Sequence, residues 1–184
     1  MTYIVGGTPR AGKSTLRKYF LEKHRISGFC TDYLRDAIDH NVPVIGIKKG
    51  MSDAEKSEIL WPYFQRILAQ RSKYYRDDLL IEGTNFLPKY LSIFQGDPNI
   101  RIVFLGYSRI TPEKKVMNIK KFTASDDDWT RDFNDTELRT LANELIEISR
   151  YFESECNKYG IKYFDTSEGI NSVIKEAANY LLES

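Results

Sequence analysis

The 184-residue chain has little cysteine, no long hydrophobic run and almost no charge imbalance, and each absence narrows its class. Only two cysteines occur, Cys30 and Cys156, far apart and outside any CxxC or histidine-rich spacing, so neither a zinc site nor a disulfide framework is implied. Two unpaired buried thiols in a reducing, cytoplasmic setting are the expectation. No apolar stretch approaches the roughly 20 residues that span a bilayer. The start of the chain has no basic segment leading into a long apolar one, as a secretory leader would. A membrane role is therefore not expected. Lysine and arginine number 27 against 26 aspartate and glutamate, a formal net charge of +1. That balance gives no overall electrostatic footprint for nucleic acid and leaves only a local basic groove open. Internal repeats and low-complexity linkers are missing as well. A chain of this length that is 41% hydrophobic suits one domain with a sizeable core, residues 1–184.

What is present is an alternation of apolar runs and helical patterns. "TYIV" (Thr2–Val5) reads as a buried strand, and Lys13–His24 as the helix after it, with Leu16, Tyr19 and Phe20 on one face. "ISGFC" (Ile26–Cys30) gives a short second strand, and Asp32–Asp39 a helix with Leu34 and Ile38 four apart. Pro43, Gly46 and Gly50 make "NVPVIGIKKG" an irregular loop. Ser52 followed by Glu55 is a capping box opening a helical pattern that reaches Asp77. Its apolar stripe is Ile59, Leu60, Tyr63, Phe64, Ile67 and Leu68, with a kink or break expected at Pro62. "LLIEG" (Leu79–Gly83), "RIVFLG" (Arg101–Gly106) and "IKYFD" (Ile161–Asp165) are three further strands. Thr136–Lys158 and Gly169–Leu182 are long helical patterns, and the aspartate-rich Ser125–Asp135 is a polar insert. Strands separated by helices imply βαβ units, hence a three-layer α/β fold around a mainly parallel five-stranded sheet.

One stretch carries chemistry outright. In "GGTPRAGKST", Gly7 is followed by four residues and then Gly12-Lys13-Ser14, directly after a strand and at the opening of an amphipathic helix. Glycines let backbone N–H groups converge on phosphate oxygens, and the helix N-terminus adds the positive end of its dipole. Gly7, Arg10, Ala11, Gly12, Lys13, Ser14 and Thr15 are the candidate phosphate-binding residues. Lys13 is placed to reach the β- and γ-phosphates, Ser14 to ligate Mg²⁺ and Thr15 to bond the α-phosphate. A glycine-rich turn with a surface lysine would have no need of the flanking strand and helix.

Together with "CTDYLRDAI", "LLIEGTNFLP" and "IKYFDTSEGI", this loop resembles the P-loop kinase superfamily. The resemblance is to the small phosphotransferases around 2-phosphoglycerate kinase, chloramphenicol phosphotransferase and zeta toxin, and more broadly to nucleoside and nucleotide kinases. It implies an ATP- and Mg²⁺-dependent enzyme that transfers the γ-phosphate to a hydroxyl of a small molecule such as a nucleoside, nucleotide or sugar acid. An acceptor-binding segment at about 41–77, a mobile lid at about 107–135 and a monomer or homodimer go with it. Asp32 falls at the carboxyl end of the second strand, where open α/β sheets place their ligands. The resemblance makes it the group that takes or orients the acceptor proton, while residue type alone fits a helix N-cap equally well. Arg35, one turn on, either faces the same cleft and holds an anionic group or is a surface residue. Glu82 ends an apolar strand, where an unpartnered charge is costly, and is assigned to Mg²⁺ or to a substrate hydroxyl. Thr84 and Asn85 either bond the acceptor or form a turn.

The resemblance implies lid arginines after the fourth strand, but "GYSRITPEKKVMNIKKF" carries Arg109 and the lysines Lys114, Lys115, Lys120 and Lys121. Arg131, in the acidic insert, is the candidate catalytic arginine. The lysines read equally well as a solvated helix face. "FDTSEG" is expected near the adenine ring, or else as a turn with Ser167 as helix cap. The rival class is an NTP-hydrolysing switch or nucleotide-binding module, which lacks support because no NKxD tetrad or DxxG after a strand is present. A kinase of nucleic-acid 5′-hydroxyls is the other alternative.

Overall fold

Thr2–Gly7 (β1), Ser27–Cys30 (β2), Leu79–Glu82 (β3), Ile100–Gly106 (β4) and Lys162–Asp165 (β5) lie side by side in the order β2-β3-β1-β4-β5. Each pairing is parallel. The computed structural model describes residues 1–48, 50–122 and 128–183. Its helices are Lys13–Tyr19 (α1, continued by a π-helical turn over Phe20–His24), Thr31–Asn41 (α2), Asp53–Tyr74 (α3), Pro88–Leu91 (α4), Pro112–Phe122 (α5), Asp135–Tyr159 (α6) and Ile170–Glu183 (α7). The five strands and the α/β class expected from the sequence are therefore present.

The alternation of side chains along β1 explains the three layers. Tyr3 and Val5 face one way and pack with Leu16, Phe20, Ile174 and Leu181 of the helices on that side. Ile4 faces the other and packs with Leu60, Phe64, Leu91 and Phe152. A strand covered on both faces reads as an unbroken apolar run, as β1 does. Fully burying each such leucine or phenylalanine stabilises the fold by roughly 1.5–3 kcal/mol.

Of the kink or break expected at Pro62, the break does not occur: helix α3 is continuous through it. The proline removes one hydrogen bond to the preceding turn, but the Ser52–Glu55 capping box holds the start, and Leu60, Phe64 and Leu68 bury one face four residues apart. Tyr63 and Ile67, expected on the stripe, are exposed. The stretch after α2 is irregular as expected, apart from a single 3₁₀ turn at Pro43–Ile45. Residues 123–127, which include the first part of the acidic insert (125–127) and part of the expected lid, lie outside the described residues; α6 begins at Asp135, capped by Asn134 and Glu137.

Register sets the carboxyl ends of β2 and β3 level, Cys30 beside Glu82, and Glu82 beside Val5 of β1, two residues before that strand ends at Gly7. The loop that follows β1 is fixed by sterics. Gly7 has φ 127°, and a Cβ there would lie 1.9 Å from the Leu105 carbonyl oxygen. Gly7→Ala is thus expected to destabilise the fold by about 3 kcal/mol or more, lowering the thermal midpoint by about 6–12 °C for a domain of this size. An unchanged melting curve would contradict this packing of loop against β4.

Candidate active site

The loop after β1 is turned inside out by its partners. Lys13 Nζ donates to the carbonyls of Gly7 (3.1 Å) and Thr8 (2.8 Å). Tyr107 Oη donates to the Pro9 carbonyl at 2.6 Å, and Lys115 Nζ to that of Arg10 at 3.3 Å. Four successive carbonyls are thus occupied, and the Thr8 and Ala11 N–H groups donate to the Leu105 and Thr8 carbonyls, which leaves the N–H groups from Gly12 onward for an anion-binding nest. The left-handed conformations of Arg10 (φ 60°) and Gly12 (φ 98°) make the required bends. Gly12 caps α1 without any side-chain bond, so the first-turn N–H groups of that helix have neither cap nor intrahelical acceptor. Ala11 is buried, while the Ser14 and Thr15 side chains are exposed. Thr8 is tied to Ser149 of α6 by a 2.8 Å hydroxyl–hydroxyl bond, and the same Ser149 oxygen accepts from the Tyr107 N–H at 3.2 Å.

Lys13 is buried, which pushes its ammonium pKa down; Glu82, Asp32 and Asp53 act in the opposite direction. Those carboxylates form the other half of the site. Glu82 is buried at the end of β3 and accepts from Arg17 Nε of α1 at 3.2 Å. Asp32 is the second residue of α2, whose N-cap is Cys30, and no side chain caps that helix. The capping role open to Asp32 in the sequence is therefore not what its side chain does. Instead it accepts from Arg35 Nη1 at 3.0 Å, while Arg35 also grips Asp36 with two bonds. Cys30 lies between these acids, and its thiol is pushed up to about 11, chiefly by burial, with Glu82 adding to the effect. Both cysteines are free; Cys156 is buried and Cys30 half-buried.

Thr84 and Asn85 follow β3 and are buried. Asn85 Nδ2 reaches the Asp53 carbonyl at 3.5 Å, whereas its Oδ1 and the Thr31 hydroxyl are buried with no hydrogen-bond partner among the described residues. Buried polar atoms ordinarily have a partner, so these two are candidates for a polar ligand.

On the opposite side of the loop, Arg10 stacks over Trp129 at 5.5 Å and bonds Asp128 and Thr130. Of the basic residues after β4, Arg109 pairs with Glu153, Lys114 with Glu168 and Lys120 with Asp135. Arg131 is exposed in the turn before α6, its N–H bonded to the Asp128 carbonyl. Of Arg109, Lys114, Lys115, Lys120, Lys121 and Arg131, Lys115 is the buried one, and it points back to the phosphate loop. A cavity of about 230 Å³ opens there, lined by Arg10, Tyr107, Lys115, Ser167, Gly169 and Ile170. Its far wall is anchored by Asp165, which accepts from Ser108 and from the Ser167 N–H. Ser167 precedes α7 by three residues and is buried. A larger cavity of about 440 Å³, lined by Ile100, Gly160 and Tyr180 among others, carries none of the residues singled out from the sequence.

Among the described residues no cluster of three His, Cys, Asp or Glu forms an all-protein metal cage. The donors present suit Mg²⁺ nonetheless: an exposed Ser14 hydroxyl and the Glu82 carboxylate are hard oxygen ligands of the kind that hold this ion jointly with substrate phosphates.

No family model and no curated protein matches the sequence. Solved structures do match the architecture. A shikimate kinase from Bacteroides thetaiotaomicron superposes with a TM-score of 0.62 at 17% identity, covering 100% of this chain and 99% of its own. This chain has the P-loop kinase fold. A gluconokinase from Sinorhizobium meliloti 1021 matches with a TM-score of 0.56 at 16% identity over 99% of this chain and 91% of its own. A shikimate kinase from Acinetobacter baumannii in complex with shikimate gives 0.54 at 14% identity over 99% and 93%. Within its P-loop kinase fold, the chain places the loop Gly7–Thr15, Asp32 and Glu82 together at the carboxyl edge of the sheet. Among the described residues no helix is long and apolar enough to cross a membrane.

Four side chains of the site escaped the sequence reading or were not separated from their neighbours: Arg17, Tyr107, Ser149 and Lys115. Only Arg17 carried a local signal, lying four residues after Lys13 and so on the same helix face.

Proposed function

We propose that the protein is an ATP- and Mg²⁺-dependent kinase of a small hydroxylated molecule. The observation that carries this reading is the meeting, at one sheet edge, of an inside-out phosphate loop and the carboxylates Asp32, Asp53 and Glu82, close enough to act on Lys13. A donor half and an acceptor half are thus adjacent. The loop N–H groups and Lys13 bind the phosphates, Lys13 exchanging the Gly7 and Thr8 carbonyls for phosphate oxygens. Ser14 and Glu82 would hold Mg²⁺, which when bound neutralises charge on the β- and γ-phosphates. Arg17 fixes the Glu82 carboxylate from the other side. Asp32, oriented by Arg35, accepts the proton of the attacking hydroxyl, while Thr84 and Asn85 hydrogen-bond the acceptor. The 41–77 segment forms the acceptor wall. The 107–135 segment closes over the phosphates, where Arg131 is the candidate catalytic arginine. The base lies in the cavity beside Ser167 and Gly169.

The names of the similar structures, shikimate kinase and gluconokinase, support this class of acceptor without specifying it. The test is ADP formation from Mg·ATP with and without a panel of nucleosides, nucleotides, sugar acids and an RNA 5′-hydroxyl. Acceptor-dependent ADP formation is expected. Hydrolysis that ignores every acceptor and depends instead on a protein partner would establish a switch.

A further inference from the structure

We propose that Lys115 of α5 is a ligand of the nucleotide phosphates and that it takes up a proton from solvent as they bind. The inference rests on the nucleotide-binding part of the proposed function, not on the identity of the acceptor.

The geometry singles out this lysine. Lys114 and Lys120 are half-exposed and paired with Glu168 and Asp135. Lys115 is 4% exposed and turned inward, its Nζ 3.3 Å from the Arg10 carbonyl and 3.3 Å from the centre of the Tyr107 ring. It therefore borders the phosphate loop at Arg10, and it lines the adjoining 230 Å³ cavity together with that residue. Among the described residues its surroundings hold no compensating anion. From the phosphate loop it faces Arg10 and Lys13, from the end of β4 the neutral Tyr107, and from the 166–170 loop only Glu168, which is exposed and paired with Lys114. Asp128 is engaged by Arg10. A carbonyl and an aromatic face are weak compensation for a buried ammonium beside two other cations.

Burial first, and Arg10 and Lys13 after it, push the Lys115 pKa down to about 7. The free protein near pH 8 thus holds Lys115 mostly as the neutral amine, with its lone pair unprotonated. Phosphates entering between Arg10, Lys13 and Lys115 supply the missing negative charge and favour the ammonium. The amine lone pair then takes a proton from water or buffer, and no other bond changes. Because the bound state has the higher pKa, affinity is full below the free pKa and falls as pH rises through it.

The test is calorimetric binding of Mg·ADP at pH about 8 in two buffers of different ionisation enthalpy, with affinity also measured at pH about 7. The wild type is expected to take up close to one proton per nucleotide and to bind about fivefold more weakly at the higher pH, given a free pKa of about 7. Lys115→Arg, whose guanidinium does not titrate, is expected to bind with no proton uptake and no pH dependence. Lys115→Met is expected to bind at least about tenfold more weakly, with its fold checked by thermal unfolding. Uptake that persists in Lys115→Arg assigns the proton to Lys13 and overturns the proposal, as does a wild type that takes up none. A folded wild type that fails to bind Mg·ADP at all overturns the nucleotide reading as well, so the two failures are distinct.

Discussion

Replacing Lys13 by alanine is expected to lower phosphoryl transfer by about a thousandfold or more. The side chain is the one ammonium held inside the loop itself, where it bonds the Gly7 and Thr8 carbonyls and faces the Asp32, Asp53 and Glu82 carboxylates. Charge stabilisation by a preorganised donor in such a site is worth about 10²–10³ in rate, and a cation placed on transferring phosphate about 10³–10⁵. The substitution also strands two loop carbonyls, at a cost of about 1–3 kcal/mol each where they stay buried, but it removes the penalty of burying an ammonium. Stability is therefore expected to change far less than rate. Turnover of Lys13→Ala by ADP release, alongside its melting curve, checks both statements. A variant that retains turnover within tenfold of wild type contradicts the assignment of this loop to phosphate binding.

Asp32→Asn is expected to lower turnover by about 10²–10⁴-fold, the range for loss of a positioned general base, while leaving the affinity for Mg·ADP nearly unchanged. The amide keeps the carboxylate's shape and an oxygen that can accept from Arg35 Nη1, now 3.0 Å from Asp32 Oδ1. It cannot accept the acceptor's proton. Since α2 is capped by the Cys30 backbone position and not by the Asp32 side chain, the fold has little stake in the substitution. Steady-state kinetics with a saturating acceptor separate the two roles. If Asp32→Asn transfers phosphate normally while Lys13→Ala does not, Asp32 is not the base.

The strands and the phosphate loop were legible because their signals are local. A strand buried on both faces must be apolar, and a loop of this curvature must carry glycine where φ is positive, so β1 and Gly7 to Gly12 announce themselves. Asp32 and Glu82 were legible as candidates because each closes an apolar run at the sheet edge where ligands bind. Their partners were not. Arg17 meets Glu82 only because β3 lies next to β1, a neighbour relation set by the strand order β2-β3-β1-β4-β5 and absent from any short pattern. Tyr107, Lys115 and Ser149 satisfy or tether the phosphate loop from positions about a hundred or more residues away. The five basic side chains after β4 look alike in sequence. What separates Lys115 from Lys114 is the rotation of α5 against the loop, a one-residue difference that decides between solvent and site. The break allowed for at Pro62 is absent because the local rule against proline inside a helix was outweighed by burial of Leu60, Phe64 and Leu68.

The most direct test of the account follows the γ-phosphate itself. ATP labelled at that phosphate, with Mg²⁺, the wild-type protein and a pool of small metabolites, is expected to pass its label to an organic phosphoester, with Lys13→Ala passing none. Label recovered as inorganic phosphate alone, whatever acceptors are supplied, would contradict a kinase and make the protein a hydrolase of the same fold.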